Sequence, residues 1–406
     1  LSRVVVSLRA AERPRINERV AEAVRSVTAP LGLLGRALVG MREPLGLFEG
    51  EHFRDFVWRD MFARTLPVSD LPTVAGARMR VARVPWNLVH AAALATRRLG
   101  GPVYPRLDTS GYDVMIAETP YPGTVSRDTT MVVRYHDAIP ILMPHTITDK
   151  SFHQASHYHA LKCNVDHGAW FACVSEATRQ DLLRIFPQLE ERAVTIHNMV
   201  SHHYREEQAS TGRLFEIVRT RGMRGGSGSS GGRTQASAAV RCAGPDPVRG
   251  TAAQHHELLI ASTIEPRKNH AALLSAWERL RQDHFPDLKL VIVGSLGWGH
   301  EAIVKRFRPW LATGDVQMLE DVPASELRLL YHHAAPTVCP SLGEGFDFSG
   351  VEAMRCASPV IASDIPVHRD IYGDAAEYLN PYASADLARA VRTVLDPEND
   401  ARAQAL

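Results

Sequence analysis

The feature that most constrains the fold of this chain is a regular alternation of apolar strands and amphipathic helices after residue 257. Leu288–Val293 reads as an apolar strand, with Lys289 as its single polar residue, that ends at a glycine, and His270–Arg281 before it has apolar residues at helical spacing. Further strands are predicted at Leu258–Ala261, Thr337–Cys339 and Pro359–Ala362, and further helices at Glu301–Leu311, Glu326–His333 with Ser325 as its cap, Gly350–Cys356 and Ala385–Leu395. Strands that alternate with helices form a parallel sheet covered on both faces, so this region predicts an α/β lobe.

A less regular version of the same pattern occupies the first half of the chain. Strands are predicted at Val4–Leu8, Asp113–Ala117, Met131–Tyr135, Phe171–Val174 and Ala193–His197, and helices at Val20–Ser26 and Ala177–Phe186. The chain therefore predicts two doubly wound lobes. Ligands of such lobes bind at the carboxyl ends of the strands.

The boundary between the lobes is predicted from a stretch rich in glycine and serine. Gly222–Gly232 has no apolar period, and its composition favours a flexible chain without regular structure. We therefore predict an N-terminal lobe over residues 1–205, a flexible linker or insertion over residues 206–256, and a C-terminal lobe with a final helix over residues 257–406.

Composition excludes several classes of protein. Apolar residues make up 45% of the chain and charged residues 22%, which is the balance of a folded globular protein. No apolar run reaches the roughly 18 residues that a membrane-spanning helix needs. The five cysteines are scattered without a C-x-x-C spacing, which argues against a disulfide framework or a zinc ribbon and favours a reducing cytoplasm. The net charge is +1 and no nucleic-acid-binding motif is present, so we expect no nucleic acid partner.

Two smaller features leave alternatives open. The leucines of Val20–Phe48 suit either contact with a membrane surface or packing in a core, and packing is favoured. Membrane contact would place the protein at the inner face of the cell membrane rather than free in the cytoplasm. His153, His157 and His159 have a spacing that resembles a metal site, but no cysteine or carboxylate ligand accompanies them, and we expect no metal.

The most informative motif is SLGEGFDFSGVE at residues 341–352, where a strand is followed by a helix. Its glycines let the backbone approach a ligand closely, and the unpaired N–H groups of a helix start attract an anion. Glu344 precedes the helix and Glu352 lies in its first turn, so the two carboxylates are placed to hold two separate hydroxyl-bearing groups. The alternative is an ordinary strand–loop–helix segment with glutamates on its surface.

Two further motifs follow predicted strands. In ASTIEPRKNH, residues 261–270, Arg267 and Lys268 are adjacent cations, an arrangement suited to a diphosphate. A solvated basic pair that caps a helix is the alternative. In VRYHDAIP, residues 133–140, His136 and Asp137 end a strand of the first lobe, and Asp137 is expected to orient the loop backbone.

Together these segments resemble the retaining nucleotide-sugar glycosyltransferases of family 4. Glu344 and Glu352 match the E-x7-E motif of that family, and residues 265–269 match its E-P-R-K-[NG] segment. Residues 173–183 and 194–200 resemble two further segments of the family. The resemblance implies the GT-B fold, in which two doubly wound, Rossmann-like lobes face a cleft.

The chain departs from the family pattern at three places. The usual sequence after the first glutamate is G-F-G-hydrophobic-P, and here Asp347 replaces the second glycine and Ser349 replaces the proline. Many members carry an arginine where this chain has Ser262.

The resemblance also implies roles for the matching residues. Glu344 would contact the donor sugar and Glu352 the ribose of the nucleotide, while Arg267 and Lys268 would neutralise the departing diphosphate. His136 would lie near the reactive carbon of the donor. The implied catalytic residues are His136, Glu344 and Lys268, and the implied donor-binding residues are Ser262, Arg267, Lys268, Gly294, Glu344, Gly345, Phe346, Ser349, Gly350, Val351 and Glu352.

The implied reaction is the transfer of a hexose from a nucleoside diphosphate sugar to a saccharide or lipid-linked saccharide, with retention, in bacterial polysaccharide or glycolipid synthesis. The motifs are most like those of mannosyl- and rhamnosyltransferases, so GDP-mannose is the favoured donor. The N-terminal lobe would bind the acceptor and the C-terminal lobe the donor. The chain has no D-x-D motif, so neither a metal nor another cofactor is expected. The alternative is a catalytically silent partner that binds nucleotide sugars in a polysaccharide assembly complex.

Overall fold

The computed structural model describes residues 32, 34–48, 54–62, 66, 68–76, 79–82, 86–97, 101–223 and 257–396. The contacts within the chain divide it into two compact units, Leu1–Ile196 and His197–Leu406. The predicted strand Val4–Leu8 and helix Val20–Ser26 lie outside the described residues, as do residues 224–256 of the predicted linker.

The N-terminal unit begins with short strands and helices. The strands are β1 (Arg42–Glu43), β2 (Gly46–Phe48), β3 (Met79–Val81) and β4 (Arg106–Leu107), of which β1 pairs with β4 and β2 with β3. The helices are α1 (Arg54–Val57), α2 (Leu71–Ala75) and α3 (Trp86–Thr96), with a π-helical turn at Trp58–Phe62.

A four-stranded parallel sheet forms the core of the N-terminal unit. Its strands lie side by side in chain order as β5 (Val114–Ala117), β6 (Thr130–Tyr135), β7 (Trp170–Cys173) and β8 (Ala193–Thr195). The connecting helices are α4 (Ile139–Leu142), α5 (Lys150–Asp166) and α6 (Glu176–Ile185). Helix α6 starts at Ser175, whose hydroxyl accepts a hydrogen bond from the Thr178 amide.

The C-terminal unit contains a six-stranded sheet in which every pair of neighbours is parallel. The strands are β9 (Glu257–Ala261), β10 (Lys289–Val293), β11 (Val316–Leu319), β12 (Thr337–Cys339), β13 (Val360–Ser363) and β14 (Glu377–Leu379), and their order in space is β11-β10-β9-β12-β13-β14. The helices are α7 (Thr211–Arg221), α8 (His270–Asp283), α9 (His300–Thr313), α10 (Ala324–His333), α11 (Phe348–Arg355), α12 (Pro366–Tyr372) and α13 (Ser384–Leu395).

The apolar runs of this sheet follow from burial on both of its faces. In β9, Leu258 and Ile260 pack into the core on one face while Leu259 packs into the core on the other. In β10, Ile292 packs into the same core as Leu258 and Ile260, and Val293 packs into the same core as Leu259. Each fully buried aliphatic side chain stabilises the fold by about 1.5–3 kcal/mol. Replacing every second residue of these strands by a polar one would therefore be destabilising. Helix α13 completes the first of these cores.

The structure corrects the predicted linker. Residues 211–221 form helix α7, which begins at Ser210 and buries Ile217 completely against the C-terminal unit. The prediction of a chain without regular structure is wrong for this helix. The division between the units falls after Ile196, before the predicted end of the first lobe.

Two smaller expectations are also wrong. Helix α10 begins at Ala324, so Ser325 lies inside the helix and does not cap it. Leu38 and Val39 are more than 60% exposed, so the core packing favoured for them does not occur, whereas Leu34 and Leu45 of the same segment are partly buried. Among the residues that the structure describes, every helix is too short or too polar to serve as a membrane-spanning segment.

Candidate functional site

The order of strands in the C-terminal unit determines where a ligand can bind. Chain order reverses between β9 and β12, because β10 and β11 extend the sheet on one side while β13 and β14 extend it on the other. The loops after β9 and β12 therefore diverge and leave a crevice at the carboxyl ends of the strands, which is where open α/β sheets bind their ligands. Both strong motifs of the sequence lie in these two loops.

The loop after β9 presents two cations. Pro266–Lys268 forms a single 3-10 turn, and Asn269 ends the turn with a left-handed backbone (φ 58°) from which α8 begins. The side-chain amide of Asn269 (Nδ2) donates to the Pro381 carbonyl over 2.8 Å, which fixes the turn to the segment after β14. Arg267 and Lys268 are thereby held at the mouth of the crevice.

Glu344, from the loop after β12, pairs with both cations. Its Oε2 lies 2.6 Å from Nη1 of Arg267 and its Oε1 lies 2.5 Å from Nζ of Lys268. The side chains of Lys268 and Glu344 are 13% and 7% exposed, so this pairing is largely shielded from water. Burial alone lowers the pKa of Lys268, but the charges of Glu344 and Asp347 outweigh burial and raise it.

A second carboxylate fixes the arginine. Oε1 of the buried Glu265 accepts bonds from Nε and Nη2 of Arg267, at 3.1 and 2.7 Å. The remaining Nη1 also donates to the Gly343 carbonyl at 2.7 Å. A guanidinium held on three sides keeps one orientation, which a flexible lysine cannot do alone.

Gly294 is explained by the close approach of two loops. A Cβ on Gly294 would lie 2.0 Å from the Ser262 carbonyl oxygen, so no side chain fits there. Backbone hydrogen bonds from Ile264 to Ser295 and from Gly297 to Ile264 join the same two loops. Ser262 is close to α8, with its Oγ 3.4 Å from Nε2 of His270.

The start of α11 is packed against α12. A Cβ on Gly350 would lie 2.3 Å from the Tyr372 ring, so this glycine allows the two helices to touch. The ring of Phe346 is buried and lies beside the rings of Phe348 and His197, at centroid distances of 5.1 and 6.2 Å. Gly345 and Val351, the other predicted contacts on this segment, are partly buried.

Glu352 lies apart from the cations, among tyrosines. Its Oε2 accepts a hydrogen bond from the Tyr331 hydroxyl at 3.2 Å, and the Tyr204 hydroxyl is a second donor. Burial raises the pKa of the Glu352 carboxyl to about 7, although the bonds from the two tyrosines oppose that rise. The structure thus separates the two glutamates into a cationic and an aromatic setting.

Asp347 is a site residue that sequence reasoning treated only as a departure. Its backbone is left-handed (φ 61°), a conformation that favours glycine and that aspartate tolerates. Its carboxylate accepts bonds from Ser349 Oγ at 2.6 Å and His368 Nε2 at 3.0 Å. Burial opposes its charge, but Lys268 and these donors hold the pKa of Asp347 well below its usual range. His368 follows Asp347 by 21 residues, so no local pattern indicated their contact.

His136 belongs to the N-terminal unit. Its Nε2 lies 4.0 Å from Glu118 Oε2, and both side chains are well exposed. Asp137 accepts a hydrogen bond from the Ile139 amide at 2.9 Å and so orients the loop backbone, as expected. His157, from the histidine cluster, is partly buried beside Tyr135, and the loss of solvent lowers its pKa to about 4. Among the described residues, no group of three or more His, Cys, Asp or Glu side chains is arranged to hold a metal ion.

Comparison with known proteins identifies the class of the unit that carries the two cations. Residues 249–405, which lie in this unit, match the family model of glycosyl transferases group 1. Serotype-specific mannosyltransferase WbdA of Escherichia coli is 35% identical over 135 residues, which are 33% of this chain and 16% of that protein. O-antigen chain mannosyltransferase B of Escherichia coli is 32% identical over 123 residues, 30% of this chain and 32% of that protein. The chain thus spans about a sixth and a third of the lengths of these two relatives.

Solved structures confirm the fold. Sucrose-phosphate synthase from Thermosynechococcus elongatus superposes with a TM-score of 0.54 at 14% identity, over 79% of this chain and 71% of that one. The predicted α/β fold of the GT-B type, with two lobes, is therefore confirmed.

Proposed function

We propose that this chain transfers a hexosyl group, with mannose favoured, from a nucleoside diphosphate sugar to a saccharide acceptor with retention of anomeric configuration. The observation that carries the proposal is the contact of Arg267 and Lys268 with Glu344 at the point where strand order reverses. Such a cluster offers two cations to a diphosphate and one carboxylate to a sugar hydroxyl. The names of the two mannosyltransferase relatives support the choice of sugar.

Donor binding exchanges partners within the cluster. The diphosphate oxygens replace Glu344 as the partners of the two cations, and the Glu344 carboxylate then accepts a hydroxyl of the sugar. Glu265 keeps Arg267 oriented throughout, because its bonds use Nε and Nη2 and leave Nη1 to exchange. The unbound pairing therefore holds the cations in place until the donor arrives.

The chemical step depends on stabilising the departing diphosphate. As the bond to the anomeric carbon breaks, positive charge develops on the sugar and negative charge on the diphosphate. Arg267 and Lys268 stabilise the diphosphate, Glu344 stabilises the sugar, and this electrostatic contribution is the largest single one in reactions of this kind. The leaving phosphate accepts the acceptor's proton on the same face, so no separate base is required, and His136 positions the sugar.

The acceptor is proposed to be a saccharide or lipid-linked saccharide bound by the N-terminal unit. We place the reaction in the cytoplasm, with contact at the inner face of the cell membrane as the alternative. The four cysteines among the described residues are all free thiols, which supports a reducing compartment.

The test is a binding screen followed by a transfer assay. Calorimetry with GDP-mannose, UDP-glucose and dTDP-rhamnose identifies the donor, and hydrolysis with and without saccharide acceptors measures turnover. Lys268→Met should abolish binding, whereas Lys305→Met, on the exposed face of α9, should leave it unchanged. Binding without turnover towards any acceptor would favour a catalytically silent nucleotide-sugar-binding partner. Absence of binding to all three donors would contradict the proposal.

A further inference from the structure

Asp347 and His368 form a buried ion pair next to the cation cluster. Nδ1 of His368 lies 2.9 Å from the Ser363 carbonyl and Nε2 lies 3.0 Å from the Asp347 carboxylate. Both ring nitrogens thus face oxygen atoms, and a ring that donates from both nitrogens is a cation matched to the Asp347 carboxylate. The two side chains are 0% and 3% exposed.

The pair compensates for the two departures on this loop. At position 347 the family pattern has glycine, and the left-handed backbone found here is the one that a glycine would supply. At position 349 the pattern has proline, which cannot donate a hydrogen bond, whereas Ser349 donates to Asp347 over 2.6 Å. The two replacement residues are therefore hydrogen-bonded to each other, and the Asp347 carboxylate also contacts His368 of α12.

The backbone of Asp347 is held as well as its side chain. The Tyr372 hydroxyl donates to the Asp347 backbone carbonyl at 3.0 Å, and a Cβ on Gly350 would lie 2.3 Å from the Tyr372 ring. Across the crevice, the negative charge of Asp347 acts on Lys268.

We propose that the Asp347–His368 ion pair is a positioning device that holds Lys268 and the start of α11 in the geometry required for the nucleoside diphosphate. This inference rests on the proposed function. It replaces the view that the departures at Asp347 and Ser349 indicate a silent site, because they form one connected network in place of the glycine and proline.

The test is Asp347→Asn, which keeps the shape of the side chain and removes its charge. We expect binding of GDP, UDP or dTDP, whichever the unchanged chain prefers, to weaken about tenfold at neutral pH. Asp321→Asn is the matched control, since Asp321 is also left-handed (φ 53°) but exposed. Ser349→Ala, which removes one donor to Asp347, should weaken binding in the same direction and tests the network if Asp347→Asn fails to fold.

A pH profile separates positioning from simple structural support. The groups that face Lys268 are Glu344 and Asp347, which favour its charge, Arg267, which opposes it, and the neighbouring His270 and Cys339. With Asp347 neutral, burial should lower the pKa of Lys268. Relative to the unchanged chain, whose affinity does not fall at alkaline pH, the variant should then lose affinity progressively as the solution becomes alkaline.

Two results would overturn the inference in different ways. If the unchanged chain binds a nucleoside diphosphate and Asp347→Asn matches it in affinity and pH profile, only the positioning role is wrong. If the unchanged chain binds none of the three nucleotides, the proposed function fails and the positioning role fails with it.

Discussion

At the scale of single residues, the two glutamates of the E-x7-E motif differ in environment more than in sequence. Glu344 is paired with Arg267 and Lys268, whereas Glu352 accepts from tyrosine hydroxyls. Replacing Glu344 removes a negative charge from beside two cations. Glu352, whose pKa is raised to about 7, changes its own charge with pH. The two positions are therefore distinguishable by experiment.

Glu344→Gln is expected to lower the single-turnover rate of transfer by about 2–4 kcal/mol of activation free energy. The change leaves Arg267 and Lys268 without their carboxylate, so free nucleoside diphosphate should bind as well as before or better. Glu352→Gln should instead weaken nucleotide binding by about 1–3 kcal/mol. Calorimetry and rapid-quench kinetics measure both, with the exposed Glu301→Gln as control. Loss of nucleotide affinity in Glu344→Gln and not in Glu352→Gln would reverse the two assignments.

Nucleotide affinity is expected to rise as pH increases through about 7. Burial raises the pKa of Glu352 to about 7, so the carboxylate that we propose as the acceptor of the ribose hydroxyls becomes the main form only as the pH passes that value. Tyr331→Phe removes a hydrogen bond that lowers this pKa, so the midpoint should move to higher pH. Titration of the free nucleoside diphosphate affinity checks the shift, and Tyr382→Phe, which is 79% exposed, should leave it in place. A midpoint that moves down in Tyr331→Phe would contradict the account.

At the scale of elements, the loops after β9 and β10 pack directly against each other because Gly294 allows their backbones to touch. Gly294→Ala places a methyl group 2.0 Å from the Ser262 carbonyl, and backbone cannot yield as a flexible side chain would. We expect a loss of at least about 2 kcal/mol in unfolding free energy, measured by denaturant melts. Gly101 also has a positive φ, but a Cβ there would meet no atom within 4 Å. The variant Gly101→Ala therefore reports backbone strain without the clash. Equal losses in the two variants would show that contact is not the cause.

The elements that sequence reasoning found are those whose signal is local. Leu290–Val293 is apolar at every position because this part of β10 is buried on both faces, and no tertiary knowledge is needed to recognise it. Strand β11 was missed, since Gln317 interrupts a run of four residues. Helix α7 was missed because its apolar residues precede a glycine- and serine-rich stretch whose composition dominated the interpretation.

The residues of the candidate site also differ in whether a local sequence pattern reveals them. Arg267, Lys268 and Glu344 lie within short motifs that follow strands, so their proximity follows from the parallel topology. His368 became part of the site only through folding, because its contact with Asp347 joins residues separated by helix α11 and strand β13.

At the scale of the whole molecule, the absence of a D-x-D motif predicts turnover that does not depend on a metal. Arg267 and Lys268 supply the positive charge that a divalent ion supplies in other transferases. Transfer should therefore persist in excess EDTA, measured by release of nucleoside diphosphate. Loss of turnover in EDTA that manganese or magnesium restores would contradict the role of the two cations.

Helix α7 and the residues after it have a consequence for protein engineering. Met223 donates its amide to the Met318 carbonyl at 2.7 Å, so the chain is attached to edge strand β11 before residue 224. It rejoins the same sheet at Glu257, the first residue of β9. The two described residues that flank this gap, Met223 and Glu257, are thus anchored in one unit, and lengthening the connection between two fixed points costs only about 0.6 kcal/mol for each doubling. A fluorescent protein or an affinity tag inserted between them should therefore leave the C-terminal sheet intact and label the protein internally.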